Sequence, residues 1–106
     1  MSAPEISDAL FEDIKAYLDY TWMDDALDRK YKGFIRDGMA YVNGKYGEPA
    51  DFETAGSPRT LLFEYVRYAR DGALDVFENN YMSMILAMQN DKAVSRYAEK
   101  AIQAQQ

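Results

Sequence analysis

The sequence predicts an all-α protein: a small helical bundle with one long helix in its C-terminal half and a loop between helices 2 and 3. Three observations predict it. From residue 57 to 89, Leu62, Val66, Ala69, Ala73, Val76 and Phe77, then Tyr81, Met84, Ile85 and Met88, recur at the intervals that place side chains on one helix face. Two upstream segments carry the same period behind Ser, Thr and Asp start signals. Residues 45–57, with Gly47, Pro49 and Gly56, have the composition of a loop.

Helix 1 begins either at Ser2, three residues before Glu5 as in a capping box, or at Ser7. Ile6, Leu10, Ile14, Tyr17 and Leu18 form its apolar face, and Asp8, Glu12, Asp13 and Asp19 make the opposite side acidic. Helix 2 starts behind Thr21, with Asp24 three residues on, and runs from Met23 to Asn43 with Asn43-Gly44 as its stop. Its inner face is Leu27, Tyr31, Phe34, Ile35, Gly38 and Val42. Glycine inside a helix costs about 1 kcal/mol against alanine, so Gly38 marks either a close helix approach or a bend. In the loop, Phe52 is expected to pin the chain by burying its ring.

Ser57-Pro58 then supplies a hydroxyl N-cap and a proline at the first helical position. Broken once at most, at Gly72 or Asn79-Asn80, the stripe that follows makes a rod of about 45–50 Å. Asn90-Asp91 offers a stop and a new cap. Residues 1–91 thus form the helical domain, and 92–106, with Val94, Tyr97, Ala98, Ala101 and Ile102 at helical spacing, a tail that docks as a short helix or stays disordered.

With 106 residues, 48% of them hydrophobic, the chain can build one core. It has no cysteine and no histidine, which removes disulfides, thiol nucleophiles, imidazole bases and the common zinc sites together. A histidine-dependent di-iron bundle is excluded, and Asp24-Asp25-Ala26-Leu27-Asp28 lacks the Gly and terminal Glu of a calcium loop. No Gly-rich phosphate loop appears. The expectation is a protein without catalysis, metal or cofactor. The acidic N-terminus has no apolar leader, and the longest apolar run is Met84 to Met88, so the chain is expected to stay in the cytoplasm after synthesis.

The net charge is −6, and residues 1–28 hold eight acids against one lysine. Such a surface disfavours generic binding to DNA or anionic membrane. One cluster runs the other way: Arg29, Lys30, Lys32 and Arg36 interleave with Tyr31, Phe34 and Ile35 on helix 2. It reads as a DNA-contacting surface, or as cations that pair with acids of helix 1 or of a neighbouring subunit. Nine tyrosines, five phenylalanines and one tryptophan exceed what a small core hides, so some are expected to meet another chain. Tyr65, Arg67, Tyr68 and Arg70 cannot all face inward with Leu62, Val66 and Ala69, and aromatics beside arginines have the composition of interface hot spots.

Leu61-Leu62-Phe63-Glu64-Tyr65-Val66-Arg67-Tyr68-Ala69-Arg70, then Ala73-Leu74 and Phe77-Glu78-Asn79-Asn80-Tyr81, resembles the long helix of the head–tail connector (adaptor, or head-completion) proteins of tailed bacteriophages. Ile14-Lys15-Ala16-Tyr17-Leu18 and Trp22-Met23-Asp24-Asp25 look like their opening helix and turn. Asp37-Gly38 with Tyr41-Val42-Asn43 resembles the end of their second helix, and Asp51-Phe52-Glu53 their loop. The likeness covers residues 6–89 in the family's order, with Gly72 where a small polar residue is expected; the segment after Asp91 matches no part of it.

The resemblance implies a structural virion protein that assembles as a ring, dodecameric on the portal, extends the DNA channel and receives a head-closure, stopper or tail protein. DNA would pass through without sequence-specific binding, and the protein would sit at the virion's head–tail interface. Trp22, Asp24, Asp25, Tyr65, Arg67, Tyr68 and Arg70 are then the candidate subunit or partner contacts. Val94, Arg96, Tyr97 and Ile102 suit a tail that orders on the portal. The alternatives are a small helical DNA-binding regulator using Arg29, Lys30, Lys32 and Arg36, and an accessory subunit of a cytoplasmic enzyme.

Overall fold

The computed structural model describes residues 5–21 and 23–104, and every regular element among them is helical. Helix α1 spans Asp8–Tyr17, α2 Asp25–Tyr46, α3 Ser57–Arg70 and α4 Phe77–Ala104, with one 3₁₀ turn at Leu74–Val76 leading into α4. The all-α bundle with a loop between α2 and α3 and a long C-terminal helix is as the sequence predicts.

Ser7 caps α1, its Oγ accepting from the Leu10 N–H at 3.1 Å. The same hydroxyl donates to Glu53 Oε1 at 2.6 Å and ties the loop to the helix start. Ser2-Ala3-Pro4, the other predicted start, lies outside the described residues. The cap of α2 is Asp24 rather than Thr21, with its carboxylate accepting from the Leu27 N–H at 2.9 Å. Helix α2 also ends later than Asn43-Gly44. Gly47 takes the left-handed C-cap at φ +89° and donates to the Asn43 carbonyl at 2.8 Å, and Pro49 cannot extend the helix. Asn43 serves the loop instead, its Oδ1 accepting from the Ala50 N–H at 2.9 Å.

Gly38 is where α3 approaches α2. A Cβ there would stand 2.8 Å from Leu62 Cδ1 and 2.9 Å from Tyr65 Cδ1. Phe52 is buried as expected, and Arg59 fastens its segment by donating to the Phe52 carbonyl at 2.9 Å and to Asp13 Oδ2 at 2.8 Å.

The predicted rod over residues 57–89 does not form. Helix α3 stops at Arg70, with Gly72 at φ +69°. The Gly72 N–H donates to the Ala69 carbonyl at 3.2 Å and the Ala73 N–H to the Tyr68 carbonyl at 2.8 Å, the paired bonds of a Schellman stop. Glycine adopts this backbone without a Cβ penalty. After the 3₁₀ turn, α4 returns antiparallel to α3: Tyr68 meets Phe77 and Tyr81 near the turn, Glu64 meets Tyr81 further on, and Pro58 and Met88 share a groove at the far end.

Asn90-Asp91 does not stop α4. On either side of it the helix is clasped to the end of α2 and the residues that follow: Gln89 donates to the Lys45 carbonyl at 2.9 Å, Lys92 to the Tyr46 carbonyl, and Arg96 pairs with Glu48 at 2.7 Å. These bonds outweigh the modest helix propensity of Asn and Asp. At 28 residues, α4 is about 42 Å long and accounts for most of the molecule's 56 Å extent. Leu10 and Ile14 of α1, Ile35 and Val42 of α2, Leu62 and Val66 of α3, and Phe77 and Ile85 of α4 meet in one core.

Candidate functional site

The fold-back of α4 decides what the aromatic and arginine side of α3 does. Tyr65, Tyr41 and Phe77 form a three-ring cluster, the Tyr65 centroid lying 5.5 Å from each of the other two and those two 5.7 Å from one another. Tyr68 packs on Phe77 at 5.5 Å and Tyr81 at 5.6 Å, and its hydroxyl accepts from Asn80 Nδ2 at 3.1 Å. Both tyrosines are half-buried by their own chain. The rings that the sequence assigned to a neighbour are therefore largely covered by α4, because the Schellman turn brings Phe77 and Tyr81 onto them. Arg67 and Arg70 also have internal acceptors: Arg67 Nε donates to Glu64 Oε2 at 2.8 Å, and Arg70 donates to Asp71 Oδ1 at 2.9 Å and the Leu18 carbonyl at 3.2 Å.

Glu64 is the residue that sequence reasoning passed over. It accepts hydrogen bonds from Tyr17 of α1, Arg67 of α3 and Tyr81 of α4, the last at 2.8 Å, so one carboxylate joins three helices. Burial pushes its pKa up, but the bonds from Tyr17, Arg67 and Tyr81 and the Arg67 charge outweigh that and hold it below the ordinary glutamate range. Burial and the Glu64 bond push the Tyr81 hydroxyl up to about 12. The visible signal was a lone acid inside Leu61-Leu62-Phe63-Glu64-Tyr65-Val66. A recess of about 200 Å³ opens beside it, between Tyr17, Gly56, Arg59 and Phe63. Its two charged groups are engaged already, Glu64 by its three donors and Arg59 by Asp13.

Of the predicted contacts at the start of helix 2, Trp22 lies outside the described residues. Asp24 serves the fold, as the α2 cap and through a carbonyl that accepts from the Tyr20 hydroxyl at 3.1 Å. Asp25 is exposed in the first turn, where its charge suits the helix dipole. In the basic cluster, Tyr31 and Ile35 are buried and Phe34 is half-buried, while Arg29, Lys30 and Arg36 are exposed. Lys32 lies over the Phe11 ring at 4.9 Å and Lys30 over Phe34 at 5.9 Å.

The tail residues sit on the part of α4 that overhangs the bundle. Val94 is 60% exposed, Tyr97 77% and Ile102 59%, whereas Arg96 is tied back to Glu48. At the root of the overhang, an open groove of about 360 Å³ lies between Tyr46, Glu48, Pro58, Met88, Lys92 and Arg96. No helix among the described residues is long and apolar enough to cross a membrane. Comparison with protein-family models, curated proteins and solved structures finds no match to the chain.

Proposed function

We propose that this chain is a structural virion protein of a tailed bacteriophage, a head–tail connector without catalytic activity. It forms a ring, dodecameric on the portal, extends the DNA channel and carries the head-closure, stopper or tail protein that follows; it works at the virion's head–tail interface after assembly in the host cytoplasm. The observation that carries the reading is the α4 overhang, which holds Val94, Tyr97 and Ile102 out in solvent on a helix anchored at its root by Lys92 and Arg96. Exposed tyrosine and branched aliphatic side chains on a braced helix suit a partner groove better than they suit water. The ordered resemblance over residues 6–89 supplies the identity of that partner, a portal ring.

Light scattering coupled to size exclusion tests this, on the protein alone and then with a candidate portal ring. The expected result is a ring mass, alone or only on the portal, that is lost when the chain is cut after Arg96. A strict monomer that ignores the portal, or particles that lack this protein yet keep DNA and join tails, would overturn it. A second reading, a small DNA-binding regulator, draws on the exposed Arg29, Lys30 and Arg36. Duplex affinity that falls with salt and vanishes on neutralising these residues and Lys32 would favour it.

A further inference from the structure

Seven of the chain's cations form ion pairs: Lys15, Lys45, Arg59, Arg67, Arg70, Lys92 and Arg96. Arg29, Lys30, Lys32 and Arg36 form none with a described residue, although the chain has more acids than bases. Arg29, Lys32 and Arg36 stand three and four residues apart on α2, so they line one helix face. Sequence alone left two partners for them, acids of helix 1 in the same chain or acids of a neighbour. Within the described chain, the first pairing is not made. Asp13 is taken by Arg59, Glu12 reaches only Lys15 at 3.7 Å, and Asp8 is exposed without an ion-pair partner.

We propose that the basic row of α2, Arg29, Lys32 and Arg36, docks on the acidic outer side of α1, at Asp8 and Glu12, of a second copy of this chain. Lys32 and Arg36 are four residues apart, and so are Asp8 and Glu12, which puts each pair one helical turn apart along its own axis. Two helices laid side by side can therefore pair both charges at once. The same chain carries both halves of the contact, and charge complementarity of this kind sets partner choice and register. Duplex DNA fits the row less well. The molecule around it is acidic, with a net charge of −6. This contact rests on the self-assembly part of the proposed function and names the residues that would make it.

The test is a charge swap in the full chain. One variant carries Lys32→Glu and Arg36→Glu, a second carries Asp8→Lys and Glu12→Lys, and a third carries all four changes. Self-association is read as mass against concentration at low and high ionic strength, alone and on a candidate portal ring. Circular dichroism checks that each variant is helical. Each two-residue variant should associate at least about tenfold more weakly than wild type. The four-residue variant, and an equimolar mixture of the two others, should recover most of the lost affinity, which a merely misfolded variant cannot do.

Association that survives reversal of the basic row, or reversal that the swap fails to rescue, overturns the contact. So does duplex DNA binding by the wild-type row without self-association. The outcomes separate the two levels of the argument. Wild type and reversed variants loading equally onto the portal would end this contact and leave the connector reading standing; salt-dependent, swap-rescued association that ignores the portal would do the opposite.

Discussion

Replacing Gly38 with alanine probes the crossing of α2 and α3. The new Cβ would stand 2.8 Å from Leu62 Cδ1 and 2.9 Å from Tyr65 Cδ1, whereas carbon atoms pack at about 3.5–4.0 Å. Something must move by about 0.5–1 Å. Leu62 is fully buried and cannot swing into solvent, and a shift of the half-buried Tyr65 ring would disturb its packing on Tyr41 and Phe77. Overpacking of this kind costs about 1–3 kcal/mol, against which alanine gains about 1 kcal/mol over glycine inside a helix. The expected net loss is about 0–2 kcal/mol, or up to about 10 °C in Tm. Gly33 and Gly44 lie in the same helix, and a Cβ at either meets nothing within 4 Å. Gly33→Ala and Gly44→Ala should therefore stabilise by about 0.5–1 kcal/mol. Urea titrations followed by far-UV circular dichroism read all three variants. Gly38→Ala unfolding at the same urea concentration as Gly44→Ala would refute the tight crossing.

Phe77→Ala should cost about 3–5 kcal/mol in the same titration, because the fully buried ring is surrounded by Tyr41, Tyr65, Tyr68 and Tyr81; Phe77→Leu should cost clearly less. Glu64→Ala should cost about 1–2 kcal/mol by removing the shared acceptor of Arg67 and two hydroxyls, of which Arg67 and Tyr17 can turn to water. Because the folded-state pKa of Glu64 is depressed, its contribution is present above the unfolded-state value, about 4.3, and is lost as pH falls through the folded value. Glu64→Gln should accordingly flatten the acid limb of a stability–pH profile. Tyr17, Tyr20, Tyr41, Tyr65 and Tyr81 are all shifted upward, Tyr20 and Tyr81 to about 12. Their stabilising contribution is complete below the unfolded-state value, about pH 10, and disappears as pH rises through the folded values. An ultraviolet titration should find these tyrosinates forming late, with unfolding along the same limb.

What the sequence made legible follows from how local each signal is. The Ser7 cap acts within three residues of itself, and the period of α1 and α2 gave most of their buried faces, missing Phe11 and Met39 and including Tyr17, which is exposed. Gly38 was legible as a cost that demanded a neighbour, although the identity of that neighbour was not. The stop of α2 was misplaced because two glycines compete for it, and only Gly47 is followed by a proline. The break at Gly72 was named, but its consequence was not. The apolar stripe keeps helical spacing across residues 69–77, so periodicity cannot distinguish a straight rod from two helices folded face to face. Continuation of α4 through Asn90-Asp91 depends on bonds to Lys45, Tyr46 and Glu48, more than forty residues away in the chain.

That one turn redistributes the surface on which any assembly must be built. In a straight rod, Tyr65 and Tyr68 would be free to meet a neighbour; in the folded hairpin they surround Phe77, and the large apolar side chains left outward include Leu86, Val94, Tyr97 and Ile102 on α4. A segment of a few turns beyond Arg96 is too short to hold a helix in water by itself. It is helical because it propagates from a helix already nucleated and clasped at Lys92 and Arg96. The clasp therefore separates two jobs. Before it, α4 closes the core through Phe77, Ile85 and Met88, and the segment after it is presented at a defined direction with its ordering cost already met in the free chain, which favours docking by a braced helix over coupled folding.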